Sequence, residues 1–242
     1  MRIKLIISYL GTNYSGFQLQ NNGKTIQGEL ENALLELYKK PIRITGVGRT
    51  DEGVHATYYV AHYDAPSNID LAKIPLGLNR FLPQDIAVHS AEIVSNTFDA
   101  RRNAIKKTYV YRFYVSNTRI PALDQTYLQL YKMPNVDLIK QGAEKLLGEH
   151  DFLGFAKSSE VKSTVRIIYS LEVVVTQNVI EVFVCGNSFL YNMVRNICGV
   201  LLDIGYEKLV LQDIDDMLAQ GKRTKYFKTL SPKGLTLIDV VY

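Results

Sequence analysis

The sequence predicts an α+β protein built on an extended sheet, and three observations predict it. Short runs with period-two alternation recur along the chain, apolar stripes at helical spacing fall between them, and the junctions favour antiparallel pairing. A chain of 242 residues is long enough for one sizeable core, or for two small ones sharing a sheet.

Residues 3–9 read as the first strand. A helix is expected over 25–39, with Thr25 as N-cap and Ile26, Leu30, Ala33, Leu34 and Leu37 forming one apolar face. Strands are expected over 42–46 and 58–63. Further on, strands over 108–115, 166–176 and 179–185 surround a helix over 137–147. A longer helix follows, with Phe189, Met193, Ile197, Val200, Leu201 and Ile204 as its buried stripe and Ser188 or Asn187 as its cap. A short helix over 213–220 precedes the final strand, 235–241. No internal repeat is detectable.

Composition excludes several classes. The chain is 47% hydrophobic and 21% charged with no low-complexity stretch, which sets disorder aside. Residues 1–10 are interrupted by Arg2 and Lys4 and are too short for a membrane span or a signal sequence, so no membrane association is expected and the cytoplasm is the default location. Cys185 and Cys198 have neither disulfide-framework nor metal spacing and read as buried free thiols in a reducing compartment. His55 and His62 fall on what reads as a loop and a strand with no cysteine nearby, so no metal site is expected. There is also no glycine-rich nucleotide loop, and no cofactor is expected.

The net charge of +4 is too small to identify a nucleic-acid partner, but its distribution is uneven. Arg101, Arg102, Lys106, Lys107 and Arg112 share one segment with Phe98, Tyr109, Tyr111, Phe113 and Tyr114. Cations that neutralise phosphates beside aromatic faces that stack on bases suit unpaired or flipped nucleotides. The same alternation also fits a half-buried strand of any two-sided sheet.

The most informative stretch is Gly48-Arg49-Thr50-Asp51-Glu52-Gly53-Val54-His55-Ala56. Two glycines bracket an acid, as in a loop that presents a carboxylate, with Arg49 and Thr50 placed to hold a phosphate or a base edge. The alternative is a tight turn between strands, with Asp51 bonding its own backbone. Arg195 also has two readings. Helical spacing points it towards Tyr191, Cys198 and Leu202, either as a surface arginine or as the lining of an internal cleft.

GRTDEGVHA closely resembles the G-R-T-D-A-G-V-H-A signature of the tRNA pseudouridine synthase A family, with Glu52 its one departure. The resemblance runs along nearly the whole chain. It includes Tyr9-Leu10-Gly11 through Tyr14, Gly16, Gln18 and Gln20, then Thr25-Ile26-Gln27, Leu30-Glu31, Leu78-Asn79 and Leu82-Pro83. It continues with Phe98-Asp99-Ala100-Arg101, Lys107-Thr108-Tyr109-Val110-Tyr111-Arg112, Gly148-Glu149-His150-Asp151-Phe152, Met193-Val194-Arg195-Asn196-Ile197 and Gly234-Leu235.

The resemblance implies two similar α+β halves, 1–100 with the catalytic loop and 101–242, sharing an extended, mostly antiparallel sheet with a central RNA-binding cleft. It implies isomerisation of uridine to pseudouridine at positions 38 to 40 of the tRNA anticodon arm, by a homodimer and without a cofactor. Asp51 matches the nucleophile, Arg195 its counter-ion, and Tyr109 the tyrosine that packs on the target base. Arg49 matches the residue that fills the vacated stack or holds the backbone; Arg101 and Lys107 fall among the substrate-binding positions. A counter-ion matters physically, because burial raises an aspartate pKa by as much as roughly 3 to 5 units and a nearby guanidinium lowers it by roughly 1 to 3.

Three departures bear on substrate choice. Glu52 replaces alanine and is expected to face solvent or pair with a base; Tyr58 and Tyr59 replace Gly and Gln; and Thr229-Leu230-Ser231-Pro232 replaces a Thr-Ala-Pro-Ala run. A paralogue acting on another tRNA or rRNA uridine, a non-catalytic RNA-binding protein or chaperone, and a carboxylate-dependent nucleoside hydrolase are the alternatives.

Overall fold

Alternation becomes a two-sided strand in β1 (Arg2–Tyr9), where Ile3, Leu5, Ile7 and Tyr9 are buried and the residues between them stay partly exposed. Burying each such aliphatic side chain contributes about 1.5–3 kcal/mol. The strand belongs to the first of two units in a computed structural model that describes residues 1–21, 23–66, 70–157 and 163–242. Met1–Ile105 and Leu237–Tyr242 form the first unit, Lys106–Thr236 the second.

In the first unit, α1 (Ile26–Tyr38) begins where expected. Thr25 accepts a hydrogen bond from the Gly28 N–H at 3.2 Å, and Ile26, Leu30, Ala33 and Leu34 are buried. Of the expected strand 42–46 only β2 (Thr45–Gly46) forms. The backbone before it is satisfied otherwise, since the Ile44 N–H donates to the Glu31 carboxylate, which also pairs with Arg43. β3 (His55–Asp64) starts earlier than expected and takes His55 out of the loop. β1 pairs antiparallel with β3 and with β4 (Ile86–Val94), and β2 also pairs with β3.

Periodicity does not announce α2 (Lys73–Phe81) or β4. α2 carries Pro75 and Gly77, residues that weaken any helical pattern, but the proline lies in the first turn, where its missing N–H costs nothing. Gly77 has a packing reason: a Cβ there would come within 2.8 Å of Leu37 Cδ1 on α1. Asn79 ties α2 to β4 by bonding both the carbonyl and the N–H of Val88, each at 2.8 Å.

In the second unit β5 (Lys106–Val115) carries the short β6 (Leu128–Leu130) in parallel, while the sheet order β5, β9 (Val179–Gly186), β8 (Val165–Thr176), β7 (Gly148–Asp151) is antiparallel throughout. α3 (Val136–Glu144) is capped by Asn135, whose side chain accepts from Asp137 and Leu138 N–H groups. α4 (Met193–Gly205) buries Met193, Ile197, Val200, Leu201 and Ile204 of the stripe read from sequence, whereas Phe189 lies before the helix and is only half-buried. Its start differs. Asn192 is the N-cap, in the left-handed region at φ 62°, and not Asn187 or Ser188. The Asn187 carboxamide oxygen is already occupied by the N–H groups of Ile167 and Ser188, so it secures the end of β9 instead of a helix. α3 packs on α4 and α5 (Leu211–Gln220). The final strand, β10 (Leu235–Val241), matches its expected span.

Cys185 and Cys198 are buried and unbonded. Among the described residues no helix is long and apolar enough to cross a membrane, and no group of three or more His, Cys, Asp or Glu side chains could hold a metal ion. The α+β class with mostly antiparallel strands is therefore observed in each unit.

Two outcomes test this packing. Tyr59 stacks on Phe17 with ring centroids 4.3 Å apart, and a Cβ on Gly46 would come within 2.1 Å of the Tyr59 hydroxyl and 2.6 Å of the Phe17 ring. Gly46→Ala should lower unfolding free energy by about 1–3 kcal/mol in chemical denaturation, and adding Tyr59→Phe should recover part of the loss by removing the nearest atom. A double variant no more stable than the single one would contradict the assignment.

His62 supplies the second. Its Nδ1 accepts the Ala100 N–H at 3.1 Å, and burial, with Arg2 nearby, pushes its pKa below the usual 6.5. The neutral ring is the folded form. The unfolded chain takes up the proton first as pH falls, so stability from His62 is full above pH 6.5 and is lost below it. Melting temperature should fall more between pH 7.5 and 5 in the parent than in His62→Asn, which keeps an acceptor but does not titrate; equal falls would contradict this.

Candidate functional site

The glycine-bracketed stretch is a loop between β2 and β3, and its backbone is tied down almost residue by residue. The Tyr59 hydroxyl donates to the Gly48 carbonyl at 2.5 Å, and the Phe17 N–H donates to the Thr50 carbonyl at 3.1 Å. Tyr9 and Thr50 hydroxyls bond at 2.8 Å, the Gly53 N–H reaches the Tyr14 carbonyl at 3.4 Å, and His55 Nδ1 accepts the Gly11 N–H at 3.0 Å. The tight turn of the plainer reading is present at the tip. Val54 N–H closes it onto the Asp51 carbonyl at 3.1 Å, and Gly53 takes φ +75°, which glycine adopts without a Cβ penalty.

Asp51 is half-buried at this tip, Arg49 is exposed, and Glu52 faces solvent. Thr50 differs from expectation. It is 6% exposed and engaged with Tyr9, so it anchors the loop and does not offer its hydroxyl to a phosphate or a base.

Sequence alone does not mark the segment that holds the loop as part of the site. A Cβ on Gly11 would lie 2.0 Å from the Val54 carbonyl oxygen, and one on Gly16, at φ +92°, 2.6 Å from that of Thr50. Two backbones can therefore lie against each other only because both residues are glycine. The usable signal was a pair of glycines just after a strand, in a block the resemblance had already marked. Tyr14 holds the same segment through a 2.5 Å bond to Asp85, and burial followed by that bond pushes its phenol well above 10.

Arg49 and Arg101, distant in sequence, line one pocket of about 170 Å³ with Phe17, Gln18, Gly46 and Gly48. Arg49 Nε donates to the Gln18 side-chain oxygen. The turn carrying Arg101 is held by Asp99. Its carboxyl would rise through burial, but the N–H groups of Arg102 and Arg101 bring it below the usual range.

The basic and aromatic segment divides. Arg101 and Arg102 belong to the first unit, and Lys106 begins β5 in the second. Tyr111, Phe113 and Tyr114 are buried core residues with no face to offer a base, and Arg112 is paired with Glu181 at 2.8 Å. For these positions the half-buried strand is the correct reading. Lys107 and Tyr109 remain partly exposed, and Tyr109 stands edge-on to Phe189, centroids 5.3 Å apart.

Arg195, on the first turn of α4, is half-buried and not a freely solvated surface arginine. Its Nε donates to the Leu230 carbonyl at 2.7 Å and its Nη1 to the Asn192 side-chain oxygen at 2.9 Å. The neighbouring Asn196 is fully buried and bonds the Phe155 carbonyl and the Thr229 hydroxyl, each at 2.7 Å.

A family model described as tRNA pseudouridine synthase matches residues 5–101 and 143–242. A protein named tRNA pseudouridine synthase A from Caldicellulosiruptor bescii is 42% identical over 242 residues, covering 99% of each chain. Its namesake from Bacillus subtilis strain 168 is 41% identical over 248 residues, covering 100% of this chain and 99% of the relative. Likeness at this level over the full length, with the family model spanning most of the chain, leaves one assignment: the chain belongs to the tRNA pseudouridine synthase family.

Proposed function

We propose that the protein isomerises uridine to pseudouridine at positions 38 to 40 of the tRNA anticodon arm, with Asp51 as the nucleophile. The observation that supports the reading is the loop itself. A single half-buried carboxylate stands at the tip of a turn whose backbone is bonded at Gly48, Thr50 and Gly53, with the His55 side chain bonded just beyond it. Fixing a nucleophile in this way supplies the orientation that covalent catalysis needs before substrate arrives.

The reaction breaks the bond from the ribose anomeric carbon to N1 and forms one from the same carbon to C5. C5 loses a proton and N1 gains one, so no outside reactant enters. Asp51 serves by attacking the anomeric carbon or by promoting elimination across the sugar. The target base must leave the stack first, and Arg49, exposed beside the nucleophile, is suited to fill the gap or hold the backbone. Tyr109 is assigned the stacking surface for the base, and Arg195 the positive charge that keeps an aspartate ionised. Arg101 and Lys107 are assigned to phosphates. The same reading has residues 1–100 as the half that carries the nucleophile, and the protein acting as a cytoplasmic homodimer.

Incubation with unmodified tRNA, followed by chemical mapping of pseudouridine, tests the proposal. Product is expected at positions 38 to 40 and should fall by roughly 10⁴-fold or more in Asp51→Asn. Abundant product from that variant would sink the nucleophile, product at other tRNA or rRNA sites would indicate a paralogue, and free uracil a hydrolase. Arg195→Lys keeps the charge but cannot reproduce the two-armed bonding to Leu230 and Asn192. It should lower kcat by roughly 10²-fold with KM little changed; unaltered kcat would remove Arg195 from the chemistry.

A further inference from the structure

The pocket between Arg49 and Arg101 has a chemical character of its own. Two arginines line it, no acidic residue does, and the remaining lining is Thr45, the glycines Gly46 and Gly48, the amide residues Gln18 and Gln27, and the apolar Phe17 and Ile44. Among the described residues neither arginine forms an ion pair. Glu31, which bonds the lining residue Gln27, is paired with Arg43 at 3.0 Å, so its charge is already met.

Both arginines are held from behind by something other than a counter-charge on the guanidinium. Arg49 is oriented by Gln18 through Nε, and Arg101 is placed by the backbone turn that Asp99 caps. A volume of about 170 Å³ is smaller than that of sites for drug-sized molecules and suits a single small group such as a phosphate. Two arginines and no acid make an anion site, and phosphate is the anion that guanidinium forks match best.

We propose that this pocket holds one phosphodiester of the RNA substrate, gripped by Arg49 and Arg101 together. The inference rests on the reading of the protein as a tRNA-modifying enzyme and makes it more specific. Arg49 acts on the backbone of the strand it opens, and Arg101 shares that phosphate. The pocket thereby sets where the strand lies with respect to Asp51, since Gly48 and Arg49 belong both to its wall and to the loop that carries the nucleophile.

The test is a salt titration of binding to unmodified tRNA in an Asp51→Asn background, comparing Arg49→Ala, Arg101→Ala and the pair. Each phosphate neutralised contributes roughly 0.7–0.9 to the slope of log affinity against log salt. If the two share one phosphate, the double variant should lose roughly one such step and no more. Its loss of affinity should also fall short of the product of the two single losses. A double variant that loses two steps, with multiplying affinity losses, would mean two separate phosphates. Unchanged slopes would mean that the pocket does not meet RNA. Either result overturns the proposal. The unsubstituted protein is run alongside: if it neither binds nor isomerises tRNA, the broader reading fails as well; if it does both, only the shared phosphate is at stake. Both side chains are exposed, so melting temperatures should stay at the parent value.

Discussion

Everything at the candidate site depends on one close approach, the chain from Tyr9 to Phe17 lying against the loop from Gly48 to His55. Side chains normally keep two such segments apart. Here Gly11 and Gly16 remove the obstacle, and a methyl at either would meet a carbonyl oxygen of the loop at 2.0 or 2.6 Å. Once the segments touch, hydrogen bonds follow at Thr50, Gly53 and His55, each of modest net value, about 0.5–1.5 kcal/mol. Their sum matters less than their distribution. They fall on both sides of Asp51, so the tip cannot swing without breaking bonds at both ends.

The departures from the family pattern make sense in the same terms. Tyr59 is larger than the glutamine usual in its place, and space for it comes from Gly46 and from stacking on Phe17. Its hydroxyl reaches the Gly48 carbonyl, so the extra bulk on β3 strengthens the entry to the loop. Around α4 two residues of the changed run 229–232, Leu230 and Ser231, are joined to distant side chains through their carbonyls. Arg195 bonds the carbonyl of Leu230, and Tyr111 that of Ser231 at 2.7 Å. A carbonyl is present whatever the side chain, which lets Leu230 and Ser231 stand where other residues usually do. Glu52 points into solvent, where its carboxylate is hydrated.

Where one short-range rule dominates, sequence and structure agree. β1 alternates because one face is buried, α1 starts at Thr25 because a threonine hydroxyl can cap it, and the α4 stripe follows the helical period. The discrepancies all arise where a distant partner decides. Residues 42–44 do not extend β2 because Glu31 takes the Ile44 N–H, and Asn187 does not cap α4 because Ile167 has already claimed it. Thr50 looked available for a phosphate until Tyr9 was seen to occupy it. Alternation alone could not tell a base-stacking strand from a core strand in β5, since Tyr111, Phe113 and Tyr114 suit either and only their burial decides. The glycines that matter most, Gly11 and Gly16, carry no side chain from which a contact could be read.

Partner type also separates the arginines, which the modest net charge could not do. Arg2, Arg43 and Arg112 lie against Asp64, Glu31 and Glu181, and such pairs cancel most of their field at a distance. Arg49 is instead oriented by a neutral acceptor, the Gln18 carboxamide oxygen. A neutral acceptor fixes direction without cancelling charge. A guanidinium held this way has already lost much of its rotamer entropy, so meeting an anion costs less than it would for a free surface arginine. Cations that are positioned but not neutralised are therefore the ones suited to act on a polyanion. In this chain Arg49, beside the loop of Asp51, is such a cation, whereas Arg2 and Arg112 are paired on strands and Arg43 is paired with α1.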